Sequence, residues 1–345
     1  MRTFLLTIAV VAAPLAAQAS TVTDTFTSFW ALGDSLSDNG NLPLPVFTAS
    51  RPGAPIATVE GQAAYYAPGS DPRYSNGRTY VEYIAAEFQA AGRTTGNLAH
   101  GGAEAAEPPS PSDLTPGLAQ QRQTLSAAAA DFGTRPLVSI LIGANDIFAG
   151  LSSADPITNA LGAAVRAADA VAETAALLGG QGVRDFLIAN LPDLGATPAF
   201  ALLQPQARLL ASAATSAYNA RLAANIAGLE ATGLNIIDLD IFGQLNSIIA
   251  DPAAFGYGNT TLPCLFPSPA IAAAVGQAPV CTDVESLSRL FFDPIHPNAV
   301  AHRQFGQIAL DRIEADLAPV PLAASLPLLL TGLGAMAALR RRRRV

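Results

Sequence analysis

The stretch Gly33-Asp34-Ser35-Leu36-Ser37-Asp38 follows directly on the apolar run Ser28-Phe29-Trp30-Ala31-Leu32. A serine on the turn that leaves a buried strand can point its hydroxyl into a cleft, with main-chain N–H groups beside it to receive an oxyanion. A hydroxyl is unreactive at its free pKa, so Ser35 as a nucleophile needs a base. Near the other end, Phe292-Asp293-Pro294-Ile295-His296-Pro297-Asn298 sets a carboxylate three residues before a histidine. That spacing lets Asp293 orient the imidazole of His296 from the same loop, with His296 as the base. Two histidines compete for the part. His100 has no carboxylate at a suitable spacing, and His302 falls in a helical pattern where packing or hydrogen bonding is its expected role. Ser37 is the competing hydroxyl. Two more polar punctuations, Asn97-Leu98-Ala99-His100-Gly101-Gly102 and Gly143-Ala144-Asn145-Asp146, follow or close apolar segments.

Elements able to hold these residues alternate along the chain. Apolar runs bounded by Gly, Asn or Asp predict strands at Ser28–Leu32, Gly96–Ala99, Leu137–Ile142, Asp185–Ala189 and Asn235–Leu239. Helical patterns lie between and after them at Thr79–Ala90, Gly117–Ala130, Asp155–Leu178, Pro205–Ala231 and Asn298–Leu317. Strands alternating with helices imply right-handed crossovers and a central parallel sheet covered on both faces, an α/β fold in the form of a three-layer α/β/α sandwich. Ligands in such sheets sit outside the carboxyl ends of the strands. Ser35, Gly102 and Asn145 fall just past the first three predicted strands and would share that edge. Residues 20–319 show no linker or repeat and read as one domain with loop insertions. The stretches Leu42 to Asp71 and Ala250 to Val284 look inserted and would rim the cleft, and Glu104 to Thr115 reads as a third loop.

Four motifs in this order, a Ser block, a Gly block, a G-x-N-D block and a D-x-x-H block, resemble the GDSL (SGNH) family of serine esterases and lipases. Ser75-Asn76-Gly77-Arg78-Thr79-Tyr80-Val81-Glu82-Tyr83, Asn190-Leu191-Pro192-Asp193-Leu194-Gly195 and Tyr218-Asn219 resemble its bacterial lipase and phospholipase branch. The similarity runs from about Phe29 to about Leu317. It implies a flavodoxin-like fold with Ser35, Asp293 and His296 as catalytic residues. It also implies an oxyanion hole made of the Ser35 N–H, the Gly102 N–H and the Asn145 side-chain amide. Gly101-Gly102 suits that role, because without a Cβ the main chain can approach the reacting carbonyl. Asp34 and Asp38 are expected to hydrogen-bond their own turn. The activity implied is carboxylic ester cleavage through an acyl-enzyme, on lipids or other acyl esters. A carbohydrate acetylesterase or an acyltransferase would use the same machinery, and a surface-displayed binding protein could keep the fold without activity.

The ends read as addresses. Met1-Arg2, the apolar stretch Phe4 to Leu15 and Ala17-Gln18-Ala19 form a secretory signal pattern over residues 1–19, with cleavage before Ser20. Val320 to Leu339 carries no charge and precedes Arg340 to Arg344, so residues 320–345 read as a transmembrane or sorting segment with its arginines on the cytoplasmic side. Its Val-Pro-Leu-Ala-Ala start resembles bacterial C-terminal sorting signals of the PEP-CTERM and VPLPA type, with Ala323 where the second proline is usual. A sorting protease would then be a partner; a permanent tail anchor is the alternative. Either way the catalytic part is expected outside the cytoplasm, periplasmic or at the cell surface.

Composition narrows the partners. The 345 residues carry a formal net charge of −8, but Arg2 and the tail arginines supply six of the 19 basic residues, leaving residues 20–319 at −14. A body this acidic, with every basic residue an Arg, is a poor match for nucleic acid. The two cysteines, Cys264 and Cys281, bracket a Pro-rich stretch, and in an oxidising compartment they are expected to form a disulfide worth roughly 3 kcal/mol. Two thiols without a nearby histidine do not fill a zinc shell. A calcium loop at Asp34 to Gly40 fails because Leu36 stands where an oxygen ligand is needed. No metal or cofactor is expected.

Overall fold

A computed structural model describes residues 22–41, 73–106, 115–278 and 280–318. The signal-like and tail segments, the first insertion (residues 42–72) and most of the third loop (residues 107–114) lie outside the described residues.

Five parallel strands, β1 (Ser28–Gly33), β2 (Thr94–Asn97), β3 (Pro136–Leu141), β4 (Asp185–Ala189) and β5 (Asn235–Leu239), form one sheet in the order β2-β1-β3-β4-β5. The register sets Ser28 opposite Thr94 on one side and Pro136 on the other. Every residue of β1, β3 and β4 is buried, as a parallel sheet covered on both faces requires. The helices Tyr80–Ala90 and Ala299–Leu317 pack on each other to form one layer. Leu118–Ala127, Ala144–Leu151, Pro156–Gly180 and Arg208–Ala231 form the other. The result is the expected α/β/α sandwich, with the strand order of flavodoxin-like folds. β1 lies between β2 and β3, so the chain turns to opposite sides after it, and a cleft opens at the carboxyl end of β1.

Local chemistry explains most boundaries. Glu82 reaches back to the Thr79 N–H (2.8 Å) and starts the helix Tyr80–Ala90. Asp155 accepts from Thr158 and is followed by Pro156 at the first helical position. Asn298 accepts from Ala301 (2.9 Å) and starts the last helix. The long helices pack through small residues: Ala160, Ala164, Ala167 and Ala168 are buried on one, Ala211 and Ala214 on the other.

The helices Ala144–Leu151 and Ile241–Ala250 are not among the predicted elements, and two further stretches depart from the sequence expectation. β2 ends at Asn97 rather than Ala99, because the Asn97 side chain turns the chain by accepting from the Ala99 N–H (2.9 Å). The stretch 250–284 is more than a loop. It contains β6 (Asn259–Pro263), which pairs in parallel with β7 (Arg289–Phe291), and the short helix Pro269–Ala274. Cys264 and Cys281 are joined with a Cα–Cα distance of 4.7 Å, and Cys264 and Leu265 donate to the carbonyls of Phe291 and Phe292. The insertion is therefore stitched to the residues that lead into Asp293.

Gln121 secures the end of β1 from the opposite layer. Its side chain accepts from the Gly33 N–H (2.8 Å) and donates to the Gly33 carbonyl (2.9 Å), and it is buried. Gln121→Ala orphans that buried N–H and leaves a gap, so it is expected to cost about 2–4 kcal/mol. Urea unfolding of the two proteins measures it; a difference within 0.5 kcal/mol would show the contact to be dispensable.

Candidate active site

The turn after β1 carries Ser35, which is 8% exposed. Its Oγ lies 2.7 Å from His296 Nε2, and His296 Nδ1 lies 2.8 Å from Asp293 Oδ2. Asp293 is buried, and its other oxygen accepts the N–H groups of Ile295 (2.9 Å) and His296 (2.8 Å). A carboxylate held by two backbone donors fixes the ring whose Nδ1 faces it, and leaves Nε2 as the acceptor for the serine proton. The loop is closed by a hydrogen bond from the Phe292 N–H to the His296 carbonyl (2.8 Å). The buried Asn298 side chain donates to the carbonyls of Ser286 and Arg289.

Three residues from Tyr74 to Asn76 brace this loop from the side. The Tyr74 ring sits 5.0 Å from the His296 ring, Ser75 donates to the Pro297 carbonyl (3.3 Å), and Asn76 accepts from the Ala299 N–H (2.8 Å). Sequence reasoning assigned Tyr74 no role. The available signal was the neighbouring Ser-Asn-Gly stretch, whose polar side chains cap the D-x-x-H loop.

Carboxylates tie the loops at the carboxyl edge together. Asp38 accepts from Gly40 and Asn41 in its own turn (2.8 Å each) and from the Gly101 N–H across the cleft (2.7 Å). Its role thus extends beyond the turn it was expected to serve. Asp146 accepts from Ala105 and Ala106 (2.8 Å each). Gly101 must be glycine, since a Cβ there would lie 2.0 Å from the Tyr74 ring, and Gly102 holds φ +81°. Among the described residues, the N–H groups of Ser35 and Gly102 make no hydrogen bond. Asn145 stands in the first turn of the helix Ala144–Leu151 and spends one amide hydrogen on the Ala103 carbonyl (2.9 Å), which leaves its second free. The arrangement can hold a nucleophile, a base and hydrogen-bond donors around one carbonyl.

The other two histidines are placed apart from this line. His302 is buried, accepts from the Tyr80 N–H (3.3 Å) and is pushed down to about 3 by burial, so it stays neutral. His100 Nδ1 contacts the Leu98 carbonyl (2.8 Å). Ser37 is fully buried. Among the described residues no group of His, Cys, Asp and Glu could hold a metal ion.

A family model described as GDSL-like lipase/acylhydrolase matches residues 30–308. A phosphatidylcholine-sterol acyltransferase of Aeromonas hydrophila is 25% identical over 342 residues, covering 87% of this chain and 94% of that one. Among solved structures, a carbohydrate acetylesterase from Sinorhizobium meliloti aligns at 14% identity with a TM-score of 0.41, covering 84% of this chain and 98% of that one. A phospholipase A1 from Streptomyces albidoflavus aligns at 15% identity and a TM-score of 0.39, covering 84% and 99%.

Asp34, next to the serine, is a fully buried carboxyl. One oxygen accepts from the Leu36 N–H (3.0 Å) and the other has no partner among the described residues. Burial pushes its pKa from 3.8 up to about 7. A folded-state value raised above the unfolded one gives a stability contribution that is whole below pH ~4 and lost as pH climbs to about 7. Asp34→Asn keeps the acceptor for Leu36 and carries no charge. Its stability relative to the parent is expected to rise between about pH 4 and 7 and then hold, a change on the order of a few kcal/mol. Urea midpoints across that range test it, and a pH-independent difference would refute the protonated buried carboxyl.

Proposed function

The chain belongs to the GDSL-like lipase/acylhydrolase family and is a carboxylic ester hydrolase; from that premise we propose that Ser35, His296 and Asp293 carry the reaction on lipid or other acyl esters. The observation that supports this most is the 2.7 Å contact between Ser35 Oγ and His296 Nε2. As Oγ attacks the ester carbonyl, His296 takes its proton, and Asp293 stabilises the imidazolium that forms. The negative oxygen of the tetrahedral intermediate is received by the N–H groups of Ser35 and Gly102 and the second amide hydrogen of Asn145. Collapse breaks the bond to the alcohol, which leaves with the proton from His296. Water, activated by the same His296, then releases the carboxylic acid and restores Ser35.

Transfer of the acyl group to an alcohol instead of water is the second reading, favoured by the Aeromonas hydrophila acyltransferase relative. It uses the same acyl-enzyme and differs only in the acceptor. We propose further that the chain is exported, cut before Ser20, and held or sorted through residues 320–345. The signal-like start and the Cys264–Cys281 bond support that address. Among the described residues no helix is long and apolar enough to cross a membrane, and residues 320–345 lie outside them.

Ser35→Ala is expected to lose about 10⁴–10⁶ in turnover of p-nitrophenyl esters and all covalent labelling by a fluorophosphonate. His296→Ala is expected to fall comparably, while folded His302→Gln keeps most of its activity. Labelling retained in Ser35→Ala and lost in Ser37→Ala would move the nucleophile to Ser37. For the address, the intact mass of protein from the native host is expected to lack residues 1–19. A mass that begins at Met1 refutes export by cleavage, and one that retains Arg340 to Arg344 in inner membrane refutes tail processing.

A further inference from the structure

Residues 199–203 adopt a π-helical turn, Ala-Phe-Ala-Leu-Leu, between Pro198 and Gln204. Such turns are rare and are frequently found at functional sites. This one is anchored at its N-terminal end. The Ala199 N–H donates to the Pro294 carbonyl (2.8 Å), one residue past Asp293 and two before His296. Thr197, just upstream, donates its hydroxyl to the Leu194 carbonyl (2.7 Å). Asp193 accepts from both the Gly195 N–H and the Ser212 hydroxyl, which holds the segment against the helix Arg208–Ala231.

Phe200, buried by this turn, stacks on Phe148 with ring centroids 5.9 Å apart and planes 26° from parallel. Phe148 lies three residues beyond Asn145 on the helix Ala144–Leu151, so the two side chains share one helix face. Both are half-buried, whereas Asp146 and Ile147 between them are buried. One ring thus comes from the element that carries the Asn145 amide, and the other from a segment bolted to the His296 loop. Leu202 and Leu203 follow on the turn, also half-buried. By contrast, on the other side Ser75, His100 and Gly101 present polar groups and main chain, beside the Tyr74 ring that faces His296.

We propose that the Phe148–Phe200 pair and the π-turn leucines form the wall that receives the acyl chain of the ester and set the chain length this enzyme prefers. The proposal rests on the catalytic reading above, which places the reacting carbonyl between Asn145 and His296. An aliphatic chain leaving that carbonyl along the aromatic pair is removed from water. An acetyl group has no chain to lay along that wall. Chain-length selectivity is therefore the property the wall controls, and each methylene seated there is worth about tenfold or more in discrimination.

The test uses the full chain and p-nitrophenyl esters from acetate to palmitate, with kcat/KM measured for the parent, Phe148→Ala, Phe148→Leu and Phe200→Leu. The ratio of kcat/KM on octanoate to that on acetate is expected to fall at least tenfold in Phe148→Ala and less in the two leucine variants, with the change carried by KM. Circular dichroism and urea midpoints show whether each protein is folded, and Phe148→Leu keeps an apolar side chain at the half-buried position should Phe148→Ala unfold. Ratios within about twofold of the parent, or an equal loss on every ester, would overturn the wall while leaving the catalytic reading intact. A parent that cleaves acetate but no longer ester would also overturn it. Absence of Ser35-dependent turnover on every ester would overturn the catalytic reading and the wall together.

Discussion

A hydroxyl and an imidazole separated by 261 positions meet at 2.7 Å, and the organisation of the molecule follows from holding that contact. Neither group can be held by its own loop. Ser35 leaves a buried strand whose last residue is clamped by Gln121 from one helical layer. His296 sits on a loop that is closed on itself and braced by residues 74–76, with Asn298 starting the helix of the other layer. The sheet is the common reference for both, because a rigid parallel sheet keeps its carboxyl edge in one place while the helices on either face deliver residues to it.

The polar groups at that edge are arranged around backbone N–H donors. Asp38, Asp146 and Asp293 each accept two or more main-chain hydrogen bonds, and between them they set the Ser turn, the Gly block and the His loop. Burying carboxylates is costly unless they are hydrogen-bonded, and burial still raises Asp38 against the pull of its three donors. What the arrangement secures is rigidity, since donors that do not have to reorganise stabilise a developing oxyanion more effectively than mobile ones. Asp34 departs from this pattern: one of its buried oxygens has no partner among the described residues, and burial pushes its pKa up to about 7.

The segment that leads into Asp293 is held by less regular chain. β6, the short helix Pro269–Ala274 and the Cys264–Cys281 bond form a small unit whose hydrogen bonds end on Phe291 and Phe292. Arg289 adds to it from β7, donating to the Pro263 carbonyl (2.6 Å) and pairing with Glu285 (2.7 Å). Cross-linking this unit limits the freedom of the segment that feeds Asp293 and His296. The π-helical turn, which packs against β6, does a comparable job by hydrogen-bonding Pro294.

Much of this was legible in the chain because the information is local. The apolar runs of β1, β3, β4 and β5, the caps at Thr79, Asp155 and Asn298, and the four polar blocks declare themselves within a few residues, since period and capping act over one or two turns. The order of strands and helices then left few topologies to consider. The sequence by itself thus determined the sandwich, the edge on which the chemistry sits, and the residue types able to perform it. Only the tertiary structure decided how those residues are braced: Gln121 on Gly33, Asp38 on Gly101, Tyr74 against His296, Phe148 on Phe200, and the Asn145 amide shared with Ala103. Each of these joins segments distant in the chain through a side chain whose type permits many partners. A Gln, Tyr or Phe carries no mark of which partner it will meet, because that is set by the packing of whole layers rather than by its neighbours in sequence.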